Sequence, residues 1–285
     1  MSARAGRVAV IANAQKEAAP RLAEDIAAWL AERGRAAEVV LFDGTPIEPP
    51  RISDAALVMT LGGDGTVLYA SRLCAPYAVP VLPINLGSLG FIAWVKPAEW
   101  KARLSQALDG TLPMSERVML DVSIKRDGLG LASFSALNDA VVTGSGPAKL
   151  ISLSINVSRA SLGTYRSDGV IVSTPTGSTA YSLAAGGPIL DPDMDALLFN
   201  PICPFTLSNR PLVIPGDEVV EIYVERKQRE SIALTIDGQE SVGLEEADRV
   251  YVRRSSHRAR LFCAGRGSFY QVLRAKLNWS GGPDA

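Results

Sequence analysis

The segment AALVMTLGGDGTVLYASRLCA, residues 55–75, decides the fold of the first part of the chain. Its nearly all-apolar run at 55–61 is typical of a strand that is covered on both faces, as in a parallel sheet. The glycine-rich turn after this run leads into a stretch, 66–75, that is predicted to be helical. Strand, turn and helix in this order indicate a parallel sheet with flanking helices.

The same alternation extends on both sides of this segment. Further strands are predicted at 7–12, 37–42 and 79–84, and further helices at 20–33 and 97–108. We therefore expect an N-terminal Rossmann-like parallel α/β domain over residues 1–115, which carries the GGDG loop.

The hydrophobic period changes to two after about Glu116. Apolar and polar residues alternate in runs at 118–124, 151–157, 220–224, 232–236 and 250–252, with turn residues between them. This pattern predicts an all-β, antiparallel, sandwich-like C-terminal domain over residues 116–267. Helical spacing returns at 269–279, so residues 268–285 are expected to return to the first domain as a C-terminal helix.

Composition excludes several classes of protein. The 29 Lys and Arg residues nearly balance the 30 Asp and Glu residues, so charge indicates neither nucleic acid nor an anionic membrane as a partner. No apolar run approaches the ~18 residues that span a bilayer. The short apolar stretch near the start is followed at once by charges, which is not typical of a signal peptide.

The cysteines and the histidine argue against a metal or disulfide framework. Cys74, Cys203 and Cys263 are far apart with no CxxC, and His257 is the single histidine. Neither a disulfide framework nor a zinc site is therefore predicted, and a reduced, cytoplasmic location is expected. His257 is interpreted as part of a solvated turn, and without a second histidine or a GxSxG motif a nucleophilic hydrolase is disfavoured.

The GGDGT turn is the first segment with chemistry. Gly62, Gly63 and Gly65 allow a sharp turn and a close approach to a ligand, and the N–H groups of this turn, with Thr66 at a helix N-terminus, attract phosphate. Asp64 repels phosphate, so it would hold Mg²⁺ or accept a proton from an attacking hydroxyl. The alternative is a plain connection between a strand and a helix.

The second segment spans 167–190 and contains STPTGSTAYS at 173–182, with six Ser/Thr hydroxyls in ten positions. Hydroxyls and loop N–H groups bind ribose, amide and phosphate oxygens without added charge. Tyr181 offers an aromatic ring for stacking on a base. The alternative, a Ser/Thr-rich surface loop, is weakened by the apolar Ala180 and Leu183, which suggest a packed wall.

Three weaker signals remain. Asn138 and Asp139 offer contacts to an adenine edge and to ribose hydroxyls, but an Asx turn is the preferred interpretation of these two residues alone. Lys149 and Arg166 would offset phosphate charge, although lone basic residues are usually solvated. The IDGQ stretch at 236–239 is interpreted first as a hairpin turn.

Taken together, these segments resemble the NAD kinase family. The matching stretches are GGDGT at 62–66, NLGSLGF at 85–91, LND at 137–139, SDGVIVSTPTGSTAYS at 167–182, AGGPI at 185–189, LSNRPLV at 207–213, IDGQE at 236–240 and LRAKLNW at 273–279. Lipid kinases and phosphofructokinases share GGDGT, whereas the long TPTGSTAY segment is specific. The matches follow the family's order over most of the chain.

The resemblance implies transfer of the γ-phosphoryl of ATP to the adenosine-ribose 2′-OH of NAD, giving NADP. It also implies a homodimer or homotetramer and a divalent cation such as Mg²⁺, held by the ATP phosphates with Asp64 as the one protein candidate. Asp64 becomes the proton acceptor, Asn138 and Asp139 contact the adenosine, and Asp168 lies near the nicotinamide. The remaining implied NAD-binding residues are Gly65, Lys149, Arg166, Thr176, Thr179, Ala180, Tyr181, Ser182, Leu183, Ala184 and Gln239, and the phosphate-binding residues are Gly62, Gly63, Gly65 and Thr66.

The chain departs from the family pattern at three positions. Asp139 replaces a Glu, Ala184 replaces a common Ser, and Phe205 stands where a His often occurs. These changes bear on substrate preference more than on reaction class. A lipid kinase, a non-catalytic dinucleotide sensor, a preference for NADH, and a donor such as another nucleoside triphosphate or polyphosphate stay open as alternatives.

Overall fold

The computed structural model describes residues 6–44, 51–88, 90–145, 150–206, 210–228 and 230–279. The chain divides into two compact units. Unit 1 comprises Met1–Glu116 and Arg258–Ala285, and unit 2 comprises Arg117–His257. The chain therefore re-enters unit 1 at Arg258, whereas the sequence pattern places that return at residue 268.

Unit 1 begins with alternating strands and helices. These elements are β1 (Arg7–Asn13), α1 (Ala18–Ala31), β2 (Ala37–Phe42), β3 (Ala55–Gly62), α2 (Asp64–Cys74), β4 (Val81–Asn85) and α3 (Trp100–Leu108). One-turn 3-10 helices at Ala75–Tyr77 and Pro97–Glu99 follow α2 and precede α3. The predicted helix at 97–108 thus starts as a 3-10 turn, and the predicted helix at 66–75 starts at Asp64.

The first four strands of unit 1 form a parallel sheet in the order β2-β1-β3-β4. Helix α1 buries Ala19, Ala23, Ile26 and Leu30, which are spaced three or four residues apart as one helical face requires. Strand β3 is buried along nearly its whole length, as its continuous apolar run predicts. This burial places the GGDG turn at the carboxyl end of a central strand.

Unit 2 is built almost wholly from strands. They are β5 (Met114–Arg126, which starts within unit 1), β6 (Leu129–Ala136), β7 (Asp139–Gly144), β8 (Ile151–Val157), β9 (Ala160–Ser167), β10 (Gly169–Ser173), β11 (Ala196–Ile202), β12 (Leu212–Pro215), β13 (Val219–Val224), β14 (Ile232–Ile236), β15 (Glu240–Leu244) and β16 (Arg249–Phe262). A 3-10 turn at Gly177–Thr179 and the short helix α4 (Tyr181–Ala184) follow β10.

Two antiparallel layers enclose the core of unit 2. One is a six-stranded sheet in the order β12-β11-β10-β7-β14-β15. In the other layer, β13 pairs with β8 and with β16, β8 pairs with β9, and β5 pairs with β6. Inward residues of both layers form one apolar cluster, including Leu120, Ile155, Phe199, Ile222 and Leu234. Because side chains alternate between the two faces of a strand, every second residue of these strands faces this core.

Strand β16 crosses the boundary between the units and then leads into the last helix, α5 (Arg266–Lys276). Leu261, near its end, pairs in parallel with Val81 of β4. This pairing explains why the chain re-enters unit 1 before its last helix. His257 lies exposed within β16, so its assignment to a turn was wrong, since RRSSHRAR continues the strand. The expected fold class, including the return of α5 to the first unit, is confirmed.

Candidate active site

The GGDG turn joins β3 directly to α2. Gly63 is the N-cap residue and Asp64 is the first residue of the helix. A Cβ at Gly62 would overlap Thr66 Oγ1 and lie 2.9 Å from Thr66 Cβ, so only glycine fits there. A Cβ at Gly63 would meet no atom within 4 Å, so that glycine faces open space. The turn therefore presents a helix N-terminus that is accessible at Gly63, an arrangement that suits phosphate.

The carboxylate of Asp64 is engaged by a second loop of unit 1. Its Oδ2 accepts the N–H of Phe91 at 2.8 Å, and its Oδ1 accepts those of Ile92 at 3.2 Å and Ala93 at 2.8 Å. The sequence predicts Asp64 as a metal ligand or as a proton acceptor. It does not predict this contact with the second loop. Its signal in the sequence is NLGSLGF at 85–91, of which Leu89 is outside the described residues.

In unit 2, the carboxylate of Asp237 organises the LND segment. It accepts the N–H groups of Leu137 at 3.0 Å, Asn138 at 2.7 Å and Asp139 at 3.2 Å. The backbone of Asp237 donates in return to the carbonyl of Asp139 at 2.9 Å. Asp237 and Gly238 have φ of 51° and 66° in the turn between β14 and β15, as predicted for a hairpin with an Asp-Gly centre. The function of the Asp237 side chain was missed, because a turn aspartate is usually solvated.

Asn138 and Asp139 are both buried, at 9% and 4% exposure. Burial, with the nearby negative charge of Asp237, raises the pKa of Asp139 to about 7. Asn138 Oδ1 is buried without a hydrogen-bond partner among the described residues. The Asx turn, the preferred interpretation of these two residues alone, is therefore wrong, because Asn138 Oδ1 accepts no N–H of the described backbone and Asp139 lies in β7.

The STPTGSTAYS segment is packed against the LND segment. Ser173 pairs with Asp139 where β10 meets β7, and Thr174 Oγ1 donates to the carbonyl of Leu137 at 2.6 Å. The same hydroxyl accepts the N–H of Gly177 at 3.1 Å. A Cβ at Gly177 would overlap the carbonyl oxygen of Asn138, so the two segments touch through backbone. Residues 173–178 are buried, which excludes the alternative of a surface loop.

Two further hydroxyls in this segment lack a partner. Ser173 Oγ and Thr176 Oγ1 are buried and, like Asn138 Oδ1, have no hydrogen-bond partner in the described part of the chain. These three polar atoms belong to two segments that pair directly through Ser173 and Asp139. Such a concentration of unpartnered buried polar atoms is typical of a binding site and uncommon in a purely structural core.

Helix α4 carries the end of the segment. Ser182 is fully buried, and its carbonyl and hydroxyl oxygens accept hydrogen bonds from Asn200 Nδ2 at 3.0 and 3.2 Å. Ala185 packs on a cluster of Val141, Ile171 and Ile202. The expected packed wall is therefore present on one side. The other side is more open: Thr179, Ala180 and Leu183 are half-buried, while Tyr181 and Ala184 are exposed.

The remaining candidates are more dispersed. Asp168 is half-buried beside β10, with its backbone N–H bonded to the carbonyl of Ile202. Arg166 is exposed on β9, and its guanidinium lies 5.6 Å from the centre of the Phe205 ring. Gln239 is exposed in the hairpin turn that also contains Asp237. Lys149 lies outside the described residues.

The described residues contain neither a metal-binding cluster nor a membrane-spanning helix. Within the described ranges, no group of three or more His, Cys, Asp and Glu residues is arranged to hold a metal ion. In the part of the chain that the structure describes, no helix is both long and apolar enough to cross a membrane.

Comparison with known proteins connects both units to one family. The model of the ATP-NAD kinase N-terminal domain matches residues 45–112, and that of the ATP-NAD kinase C-terminal domain matches residues 137–263. An NAD kinase of Treponema denticola is 45% identical over 275 residues, covering 96% of this chain and 97% of the relative. An NAD kinase of Geobacter sulfurreducens is 39% identical over 282 residues, covering 96% and 98%.

Solved structures agree on the fold. Yeast NADH kinase complexed with NADH superposes with a TM-score of 0.81 at 24% identity, covering 97% of this chain and 89% of that one. An NAD kinase from Archaeoglobus fulgidus in complex with ATP superposes with a TM-score of 0.74 at 25% identity, covering 97% and 100%. With near full-length relatives at these identities and both domain models matched, the chain belongs to the ATP-NAD kinase family.

Proposed function

We propose that the chain transfers the γ-phosphoryl group of ATP to the 2′-hydroxyl of the adenosine ribose of NAD, giving NADP, with Asp64 as the acceptor of the hydroxyl proton. Phosphoryl transfer from ATP to NAD is the activity for which its family and its curated relatives are named. The observation that carries the assignment of Asp64 is its position as the first residue of α2, directly after the open turn at Gly63.

The proposed chemistry follows from this geometry. The turn residues Gly62, Gly63, Gly65 and Thr66 bind ATP phosphate, with help from the positive end of the helix dipole, while the N–H of Thr66 also donates to the carbonyl of Gly63 at 3.1 Å. Phosphoryl transfer proceeds mainly through positioning and charge stabilisation. Because a carboxylate is a far weaker base than an alkoxide, Asp64 orients the hydroxyl first and accepts its proton late, as the new bond forms.

The dinucleotide is proposed to lie against the LND and STPTGSTAYS segments of unit 2. The three unpartnered buried polar atoms at Asn138, Ser173 and Thr176 support an adenosine subsite there. Asp168 is proposed near the nicotinamide. The further proposed NAD-binding residues are Asp64, Gly65, Asp139, Lys149, Arg166, Thr179, Ala180, Tyr181, Ser182, Leu183, Ala184 and Gln239.

A divalent cation is proposed to arrive with ATP. The cation is proposed to be held by the ATP phosphates, since the described residues contain no group of three or more His, Cys, Asp and Glu side chains arranged to hold a metal ion. Three N–H donors already bond to the carboxylate of Asp64, and the direction left on Oδ2 is proposed for the substrate hydroxyl. When bound to the phosphates, Mg²⁺ neutralises their charge.

Location and assembly are also proposed. A cytoplasmic location is supported by the free state of Cys74, Cys203 and Cys263. A homodimer or homotetramer is the assembly that the family resemblance implies. NAD and ATP are the proposed partners, with neither nucleic acid nor membrane, which the balanced charge supports.

A coupled assay tests the function. The purified chain is mixed with ATP and Mg²⁺ and with NAD or NADH in parallel, and NADP(H) is measured. We expect product from NAD. Formation of product from NADH alone would overturn the assigned acceptor, and failure with both dinucleotides would overturn the assigned reaction.

Asp64→Asn tests the assigned residue. We expect NAD affinity by calorimetry to be retained and kcat to fall by about 10² to 10⁴, the contribution typical of a positioned acid or base. Comparable turnover in a variant with an unchanged circular dichroism spectrum would disprove the role of Asp64.

A further inference from the structure

We propose that the backbone of residues 90–93 is a positioning device for Asp64, and that it leaves Oδ2 of Asp64 as the atom that receives the proton. Gly90 is the residue that makes this arrangement possible. The inference rests on the proposed function of Asp64 and adds to it which oxygen acts and what orients it.

The hydrogen bonds of the two carboxylate oxygens are unequal. Oδ1 accepts two N–H groups, from Ile92 and Ala93, whereas Oδ2 accepts one, from Phe91. Each carboxylate oxygen has two lone pairs in the plane of the group. Oδ1 is therefore saturated by the loop, and Oδ2 keeps one direction in which a substrate hydroxyl can donate.

Gly90 is required because the backbone approaches the carboxylate closely. A Cβ at position 90 would overlap Asp64 Oδ1 and lie 2.8 Å from Cγ and 2.9 Å from Oδ2. All three of these atoms belong to the carboxylate, and Gly90 itself is buried. Its φ is not in the left-handed region, so the requirement for glycine comes from this approach and not from backbone conformation.

The loop is held independently of Asp64, so it can orient the carboxylate. Asn85 Oδ1 accepts the N–H of Gly87 at 2.8 Å, and Asn85 Nδ2 donates to the carbonyls of Ser88 at 2.9 Å and Ala93 at 3.1 Å. The N–H of Leu86 bonds to the carbonyl of Gly62 at 2.7 Å, which connects the loop to the turn before Asp64.

A carboxylate fixed by three backbone donors has little freedom to rotate, and its negative charge is stabilised by those donors. The fixed orientation favours catalysis, because the acceptor is placed in advance. The loop thereby acts on turnover through Asp64, with no need to touch either substrate.

Gly90→Ala tests the proposal, with Gly87→Ala as the matched control. Gly87 lies in the same loop, but its added Cβ would come only to 3.8 Å from Asn85 Oδ1 and Lys16 Nζ, an ordinary contact. For Gly90→Ala we expect kcat to fall about 10²-fold, as for a displacement of about 1 Å at a reacting group. KM for ATP and NAD should stay within about threefold, and Gly87→Ala should match the parent.

A double-mutant cycle separates positioning from a merely structural effect. If Gly90 acts through Asp64, adding Gly90→Ala to Asp64→Asn lowers kcat no further, whereas independent effects multiply. Amide hydrogen exchange at residues 91–93 should accelerate in Gly90→Ala and not in Gly87→Ala. Unchanged kcat with unchanged exchange in Gly90→Ala, or multiplicative effects in the cycle, would overturn the proposal.

A variant that does not fold and a parent that is inactive each call for a second measurement. If Gly90→Ala does not fold, Asn85→Asp decides, because it removes the donors to Ser88 and Ala93 while adding no Cβ, and the same loss of kcat at preserved KM is expected. If the parent makes no NADP, the proposed function fails, and the exchange measurement alone decides whether residues 91–93 hold Asp64: slow exchange that Gly90→Ala accelerates supports it, and equal exchange overturns it.

Discussion

The buried carboxyl group of Asp139 lies beside the carboxylate of Asp237, and burial together with that neighbouring charge raises the pKa of Asp139 to about 7. The N–H of Asp139 bonds to Asp237 Oδ1 at 3.2 Å, so the two residues are also connected through the backbone of Asp139. Asp237 thus has two effects: it fixes the LND segment and it disfavours the charged form of Asp139.

Stability should depend on pH through Asp139. Its pKa is raised in the folded state above its ordinary value of 3.8, so the folded chain binds a proton that the unfolded chain has released. The stabilisation is therefore full below about pH 4 and is lost as pH rises through about 7. Asp139→Asn imitates the neutral form, so the parent should lose stability relative to this variant between about pH 4 and pH 7, a range set by the ordinary Asp pKa and the raised one.

Urea unfolding of both proteins across this range measures the difference. Asp109→Asn, at the exposed residue that follows α3, is the control for an Asp-to-Asn change at the surface. Parallel stability curves for the parent and Asp139→Asn would contradict the assignment.

Asp237→Asn should loosen the LND segment. The amide replaces an anionic acceptor of three N–H groups by one acceptor oxygen and an NH₂ group that faces backbone donors. We expect the free energy of unfolding to fall by about 1–3 kcal/mol, the cost of leaving buried groups unpaired. We also expect a higher KM for NAD. Asp127→Asn is the matched control, because Asp127 and Gly128 also have positive φ in a hairpin turn but Asp127 is exposed. Equal stability of the two variants would refute the anchoring role.

Thr174→Val should separate the hydroxyl of Thr174 from its shape. The valine fills the same space but leaves the carbonyl of Leu137 and the N–H of Gly177 without their partner. We expect the free energy of unfolding to fall by about 1–3 kcal/mol and NAD to bind more weakly, as measured by calorimetry. Thr174→Ser keeps the hydroxyl and should retain most of the stability and most of the NAD affinity. If the serine variant lost as much as the valine variant, packing and not hydrogen bonding would explain the effect.

Gly177→Ala should disrupt the contact between the two segments. Its Cβ would overlap the carbonyl oxygen of Asn138 and lie 2.7 Å from Asn138 Cα, and backbone at both sites cannot give way cheaply. We expect a lower melting temperature and weakened NAD binding. Gly243→Ala, on β15, adds a Cβ that meets nothing within 4 Å and serves as the control. A melting temperature for Gly177→Ala equal to that of the control would contradict the close approach.

Local pattern determined most of the architecture. The strands at 37–42 and 55–61 were predicted within a residue of Ala37–Phe42 and Ala55–Gly62, because burial on one or both faces imposes a readable spacing of apolar residues. The reaction class also followed from sequence, since GGDGT and TPTGSTAY occur in the family's order. Boundaries were less accurate where local signals compete, as at the 3-10 turn before α3 and at His257 within β16.

Only the tertiary structure decided what the acidic side chains contact. The sequence by itself identified Asp64 and classed Asp237 as a turn residue, but nothing local indicates that each carboxylate receives three backbone N–H groups from a distant loop. The residues that bond to Asp64 lie 27 to 29 positions from it in the sequence. Those that bond to Asp237 lie 98 to 100 positions from it. Sequence spacing encodes which face of an element is buried, whereas contacts across such distances depend on how the whole unit packs. The raised pKa of Asp139 likewise follows from burial, which no residue type specifies on its own.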